Sequence, residues 1–396
     1  MVVVIGAGVI GSSIAYHLTL LGATDVLLLE AERPACAASG KAGGFLARSW
    51  GDGTSSMSLT RKSFDMHQTL ARELGISSYR QLPSYKMRDQ AGSGDLDWVN
   101  AHHSLFDEQT AQVSPAELSA KLLDGAMARG ATLRRAEVVG LQTVEDEQSE
   151  REGDRQISGV ELIGGEILRA EQVVVAMGPW SCKLEDWLGV PLPMEGVRST
   201  SLVYEGAAAT ACDGGHAALF CEEDVRGCSL EIFTRSDGDV YVSGCGFSES
   251  IGAETLRAGG LEPSVANQPD VSRVAAAEAS VRELTKLDAS VSGSSVQQAC
   301  LRPCPPDGLP VMGAIPRVAG AYVAAGHNCW GITWAPVSGL AMAELVLQGA
   351  PSVMSLKPFS PRRFDTSTYR TLLRQRSTSR SSRGRKRGQQ AIGEQW

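Results

Sequence analysis

The 396-residue chain contains no run of roughly 18 uninterrupted apolar residues, so no segment reads as a membrane span. It also lacks a Cys-x-x-Cys and any ligand-spaced pair of histidines, which excludes the common structural-metal frameworks, and no metal is expected. His102 and His103 are adjacent, without a carboxylate or cysteine at metal spacing, and read as a solvated pair. Nine cysteines scattered from Cys36 to Cys329 are an odd number and form no disulfide framework, which points to a reducing compartment. No internal repeat is present. With the first strand beginning at Val2, no basic and apolar leader is expected, and the protein reads as cytoplasmic.

What is present is an ordinary globular composition, 43% apolar and 21% charged, with 43 glycines marking places where backbone approaches something closely. The length exceeds the ~250–300 residues at which one core stops growing, so two domains are expected. The net charge of −8 is uneven. Residues 362–396 hold ten Arg and Lys against two Asp and Glu, a local +8 that leaves −16 for residues 1–361. An acidic body excludes nucleic acid from the folded surface, where phosphates would approach against the field. Residues 362–396 read as a disordered basic tail, low-complexity from Arg376 to Arg387, whose partner stays open.

The chain opens with an apolar strand at Val2–Ile5, a glycine turn, a helix with Val9, Ile10, Ile14 and Leu18 in phase up to Gly22, and a second strand at Val26–Leu29 closed by Glu30. This is a βαβ unit with parallel strands. Residues 55–74 read as helix, and 75–112 show no clear period. Ser114-Pro115-Ala116-Glu117 is a capping box that opens a helix running to about Arg129. Strands at 133–135, 138–143, 157–163 and 167–170 form a meander that returns to the parallel sheet at Val173–Ala176. Short strands follow between 196 and 250, with a hairpin around Asp237-Gly238. A helix is expected at 271–287, with Val271, Val274, Ala277, Val281 and Leu284 inward. Strands near 297–302, 310–313 and 321–325 then precede a helix at 332–347.

Gly6-Ala7-Gly8-Val9-Ile10-Gly11 lies between strand and helix, and Glu30 ends the next strand. Gly6 permits the tight turn, Gly8 brings backbone to a pyrophosphate, and Gly11 lets helix and strand pack. The helix N-terminus offers amides and a positive dipole end to the anion. Glu30 suits ribose hydroxyls and repels a 2′-phosphate, which disfavours NADP. The unit alone leaves NAD and FAD open.

Further segments bear on that choice. Ala38-Ser39-Gly40-Lys41-Ala42-Gly43-Gly44, Val173-Val174-Val175-Ala176-Met177-Gly178-Pro179-Trp180 and Gly326-His327-Asn328-Cys329-Trp330-Gly331-Ile332-Thr333, with Ala335-Pro336 and Gly339, are the ones concerned. With the N-terminal unit, they make the chain resemble the D-amino-acid oxidase family of FAD-dependent oxidoreductases, of the glycine oxidase and sarcosine oxidase type, from Val2 to about Leu347. The resemblance implies FAD held by Gly6, Gly8, Val9, Ile10, Gly11 and Glu30, and by Ser39, Gly40, Lys41, Ala42 and Gly43 near the pyrophosphate and flavin. It places Val138 at the adenine and Ala176, Gly178 and Trp180 under the cofactor. Gly326, Gly331, Ile332 and Thr333 belong to a helix start whose positive end would stabilise the negative edge of reduced flavin.

At the reacting end, the resemblance implies catalytic roles for Arg302, His327 and Trp330. Arg302 stands where the family clamps a substrate carboxylate, a task suited to a forked, permanently charged guanidinium; read from the residues alone it is equally a surface arginine. Cys300 falls where monomeric sarcosine oxidases carry the cysteine bonded to flavin. Two positions depart from the pattern: Trp330 replaces the lysine of those enzymes, and Cys329 replaces a second arginine of glycine oxidases. The pocket is therefore a copy of neither.

The fold implied is α/β: a Rossmann-type, glutathione-reductase-like parallel sheet interleaved with an α+β substrate domain on an antiparallel sheet. FAD-binding segments are expected at 1–45, 115–195 and 300–361, and substrate-domain segments at 46–114 and 196–299. The expected activity is oxidation of the C–N bond of a small amino acid or secondary amine, by hydride transfer to flavin N5. Electrons pass to oxygen or to a carrier. A flavin-stabilised interaction scaffold is the alternative from another class.

Overall fold

The computed structural model describes residues 1–91, 94–207, 212, 215–259, 266–287 and 295–364. Val2–Ile5 lies at the middle of a six-stranded sheet, flanked by Gln172–Val175 and Val26–Glu30; Ala321–Ala325 and Thr132–Arg135 extend it on either side. These five strands are parallel, and Val311–Ala314 closes one edge antiparallel to Ala321–Ala325. Continuous apolar runs are what a sheet buried on both faces requires. Val2, Val4, Leu28 and Val174 face one core, with the helices, while Val3, Ile5, Leu29, Val173 and Val175 face another. The second core is roofed by the small sheet of Val138–Glu145, Arg155–Leu162 and Ile167–Arg169, three strands of the expected meander, while the fourth, Thr132–Arg135, belongs instead to the parallel sheet beside Val26–Glu30.

Helix Val9–Leu20 is buried on nearly all sides between helices Pro115–Met127 and Gly331–Gln348. Its contact with the latter is close. Ser13 Oγ donates to Ala335 O at 2.8 Å, and a Cβ on Gly339 would lie 2.1 Å from that hydroxyl. Gly339 is thus required by helix packing. By length and apolar composition Asn328–Gln348 matches a membrane span, yet 72% of its apolar window is buried inside the fold, so it is a core helix.

The second large sheet has eight strands. Its path runs Ser250–Ile251, Glu195–Tyr204, Val240–Ser243, Glu231–Thr234, Ala218–Cys221, Ser84–Ala91 and Ala101–Asp107, and Val296–Cys304 pairs antiparallel with Glu195–Tyr204 from Glu195 to Val203. One face carries Leu202, Tyr204, Leu219, Ile232, Val240 and Val242 and packs on helix Val271–Leu284. The other carries Val203, Ala218, Phe220, Phe233 and Tyr241. Of the stretch 75–112, which showed no period, Ser84–Ala91 and Ala101–Asp107 pair in this sheet with register shifts, while Arg80–Gln81 and Thr110–Gln112 pair with Phe45–Ala47 in a separate three-stranded sheet.

Four local expectations are corrected. The 271–287 helix ends at Leu284, where Thr285 leaves to bridge Val99, and Val271 is 76% exposed at its first turn while the other four named residues are buried. Asp270 caps that helix, accepting from Ser272 and Arg273 N–H. The capping box is only half formed: Ser114 Oγ accepts from Glu117 N–H at 3.4 Å, but the Glu117 carboxylate accepts instead from the Ser77 and Ser78 amides at 2.8 and 2.9 Å. His103 is buried rather than solvated, its Nδ1 donating to Ala101 O and its Nε2 accepting from Leu96 N–H, whereas His102 is exposed. Residues 362–364 belong to the folded body, with Phe364 buried and Arg363 paired with Asp307. The remainder of the expected basic tail, 365–396, lies outside the described residues.

Candidate active site

The C-terminal ends of Ala321–Ala325, Gln172–Val175, Val2–Ile5 and Val26–Glu30 stand side by side, and the turns leaving them line one cavity of about 440 Å³. Crevices at the carboxyl ends of parallel strands are where open α/β sheets hold dinucleotides. The cavity continues to the Phe220, Phe233 and Tyr241 face of the eight-stranded sheet.

The first wall is mostly backbone. Gly6 turns the chain at φ 102°, and a Cβ there would meet Ala176 O at 2.5 Å. Val9 N–H, at the start of its helix, donates to Ser39 Oγ at 2.9 Å, which folds the 38–44 loop back over the turn. Glu30 is held at the cavity edge by Ala7 N–H on Oε2 at 2.9 Å and Glu32 N–H on Oε1 at 3.0 Å. Gly6, Gly8, Val9, Ile10, Glu30, Ser39, Ala42, Gly43, Val138, Ala176, Gly178, Trp180, Cys300, Arg302, Gly326, His327, Trp330, Gly331 and Ile332 all line this one space.

Four residues named from sequence stand off the wall. A Cβ on Gly11 would lie 1.9 Å from Gly6 O, so its part is helix–strand packing. Gly40 is confined by Ala35 O, 2.3 Å from an added Cβ. Lys41 Nζ donates to Ala299 O at 2.8 Å, tying the loop to the strand that bears Cys300. Thr333 Oγ1 donates to Phe45 O at 3.2 Å.

Helix Gly331–Gln348 starts at the cavity and contains a proline in its second turn. Pro336 has no N–H, so the Ile332 carbonyl loses its intrahelical donor. His67 Nε2 replaces it, 3.1 Å from both Ile332 O and Thr333 O. Both neighbours are acceptors, so Nε2 carries the proton, and burial lowers the His67 pKa to about 4, which keeps the ring neutral. Ser63 Oγ accepts from Val337 N–H at 3.2 Å, and Thr60 Oγ1 from Trp334 Nε1–H at 2.9 Å. Residues 60, 63 and 67 share one face of helix Met57–Leu74, which therefore fixes the helix start at the cavity.

His327 is 2% exposed, and burial lowers its pKa to about 3. Its Nε2 contacts Ser338 Oγ at 3.1 Å, while Nδ1 is buried with no hydrogen-bond partner among the described residues. A neutral imidazole with an unused nitrogen on a cavity wall suits a polar ligand there. Arg302 is 8% exposed on Val296–Cys304. The Cys300 thiol, two residues earlier, is pushed up in pKa by burial against the pull of Arg302 and Lys41, and stays protonated.

The cavity suits FAD on three counts: glycine backbone and helix amides at one end, a held carboxylate at Glu30, and an unused buried nitrogen at His327 farther along. The sequence reading missed Trp50, Ser199, Phe220, Glu231, Phe233, Tyr241 and Ser243, which also line the cavity. The Asp237-Gly238 hairpin could have found four of them. Its register sets Glu231 opposite Ser243 and Phe233 opposite Tyr241 on one face.

A sequence model of the family described as FAD dependent oxidoreductase matches residues 1–104 and 88–345. An oxidoreductase of Schizosaccharomyces pombe is 27% identical over 395 residues, covering 91% of this chain and 97% of that one. A glycine oxidase of Pseudomonas aeruginosa is 27% identical over 385 residues, covering 91% and 98%. The structure of glycine oxidase from Geobacillus kaustophilus shares the fold, with a TM-score of 0.72 at 23% identity over 91% of this chain and 97% of that one.

Proposed function

The chain belongs to the family of FAD-dependent oxidoreductases, and on that premise we propose that it oxidises the C–N bond of a small amino acid or amine. The observation that carries this reading is the continuity of one cavity from the glycine turn and Glu30 to the buried Arg302 and His327. FAD bound there supplies a two-electron acceptor for the hydride that leaves the carbon beside nitrogen.

Gly8, Val9 and Ile10 would present amides to the pyrophosphate and Glu30 would take the ribose hydroxyls. The fixed start of helix Gly331–Gln348 would set its positive end toward negative charge on the flavin edge, an effect of roughly 0.3–2 kcal/mol. Arg302 holds the substrate carboxylate with two parallel donors, which orients the reacting carbon. Trp330, stacked on Trp334 at 5.9 Å between ring centroids, and Phe233 exclude water. In that apolar surround the amine is favoured neutral, the form that gives up a hydride. His327, already neutral, serves as a hydrogen-bonding wall and not as a base that titrates near neutral pH.

The reading is tested by mixing FAD-loaded protein anaerobically with amino acids and N-methyl amines. Bleaching of the oxidised flavin by at least one supports it. Failure of all of them at full FAD content favours the scaffold. Peroxide formation under air then separates an oxidase from a dehydrogenase that hands electrons to a carrier.

A further inference from the structure

The eight-stranded sheet presents a second charge to the cavity. In its register Arg302 opposes Val197 and Cys300 opposes Ser199; on the other edge of the same strand, Val203 opposes Tyr241, and Tyr241 opposes Phe233. Directly opposed residues share a face, and side chains alternate along a strand. Arg302, Cys300, Ser199, Tyr241, Ser243, Phe233, Glu231 and Phe220 therefore project from one side, and all eight line the cavity.

Arg302 and Glu231 are separated on that face by three strand spacings, about 14 Å, and by four residues along the strands, about 13 Å. Their long side chains close part of this gap, and both charges act on the Cys329 thiol at the cavity wall. The amine on the carbon next to a carboxylate held by Arg302 cannot also reach Glu231. Ser243 Oγ donates to Glu231 Oε2 at 3.1 Å and orients it. Phe220 stands opposite Glu231 on the neighbouring strand, and Phe233 lies two residues along from it. A carboxylate beside aromatic faces suits a cation, and the gap left between the two charged side chains is one that a short methylene chain can bridge.

We propose that Glu231 is the second pole of the site, and that the substrate is an amino acid with a cationic nitrogen at the end remote from its carboxylate, as in ornithine, lysine or arginine. This rests on the reading of Arg302 as the carboxylate anchor. It names a substrate class for the same cavity and makes Glu231 the residue that selects it.

The test uses holoprotein and two probes of equal length, 6-aminohexanoate and hexanoate, titrated by the change in the flavin spectrum. The expected wild-type result is at least about tenfold tighter binding of 6-aminohexanoate, with that ratio falling to about one in Glu231→Gln. Glu231→Asp, which keeps the charge, should retain part of the preference, and FAD content and melting temperature check that both variants fold. In turnover, the kcat/KM ratios of lysine over norleucine and of arginine over citrulline should collapse with the same substitution. Equal binding of the two probes by the wild type, or a preference that survives Glu231→Gln, overturns the inference while leaving amine oxidation standing. Failure of every amine to bleach the flavin overturns the proposed function itself.

Discussion

The two ends of the cavity are built in different ways. At the dinucleotide end, turns at the tips of neighbouring parallel strands do the work: Gly6 to Val9, Glu30 and Ala176 to Gly178 act mainly through backbone and through one held carboxylate. At the end proposed for the substrate, side chains from five antiparallel strands converge, and residues as far apart in sequence as Ser199, Phe220, Glu231 and Arg302 meet on one sheet face. The first construction ties function to local geometry and tolerates little change. The second lets single side chains vary while the fold stands, which is how one scaffold accommodates different amines.

The largest expected effect breaks the first end. Gly11→Val should give colourless protein, because its side chain has nowhere to go against Gly6 O, and FAD content by absorbance is the check. A yellow, fully loaded Gly11→Val protein would contradict the backbone account of that end.

The next effect belongs to the second end. Arg302→Ala should lower kcat/KM for an amino acid by roughly 10²–10³-fold, since truncating one partner of a buried charge pair costs about 2–5 kcal/mol. Arg302→Lys should fall in between, having kept the charge but lost the fork. FAD content should hold, and an amine without a carboxylate should be oxidised as before. Equal losses for both substrates would make Arg302 structural.

The contrast also explains what could be read from sequence. The glycine turn, Glu30 and the strand that leads into Ala176 are contiguous motifs whose period and spacing encode their geometry, so the strands Val2–Ile5 and Val26–Glu30 were placed within a residue. Ser199 and Phe220 carry no such signature, because their part depends on which strands pair, and Glu231 and Tyr241 are legible only through the register of the Asp237-Gly238 hairpin. Lys41 and Thr333 sit inside matching motifs yet point to Ala299 and Phe45, since a motif specifies a path for the backbone better than the aim of each side chain. His67 was invisible for a further reason: its partners are the Ile332 carbonyl, freed by Pro336, and the Thr333 carbonyl beside it, far away in the chain.

A smaller effect joins the ends through that contact. His67→Leu should leave the Ile332 and Thr333 carbonyls buried without their donor and destabilise the protein by about 1–3 kcal/mol, measured by denaturant unfolding. FAD affinity should fall as the helix start loosens, and His67→Gln, which offers an N–H, should recover part of it. Unchanged stability and FAD affinity in His67→Leu would remove the link.

A further expected effect, spread over the whole fold, is a dependence of stability on pH. His17 and His67 have pKa values lowered to about 4 and His327 to about 3, each by burial. Unfolding returns them to about 6.5, so between pH 6.5 and about 4 the unfolded chain binds more protons and stability falls as pH falls. Each such histidine contributes up to about 1.4 kcal/mol per pH unit in that window. Urea midpoints at pH 7 and pH 5 should differ accordingly, and the difference should shrink in His67→Gln; no such difference would mean the buried rings are not held neutral.

Anaerobic titration of the holoprotein tests most directly the claim that one cavity joins FAD to an oxidisable C–N bond. Successive additions of the best amino acid or amine should bleach the flavin in proportion, with one carbonyl product and one ammonia (or one amine, from a secondary amine) released for every flavin reduced. Full FAD occupancy with no bleaching, or bleaching without a matching carbonyl product, would contradict it.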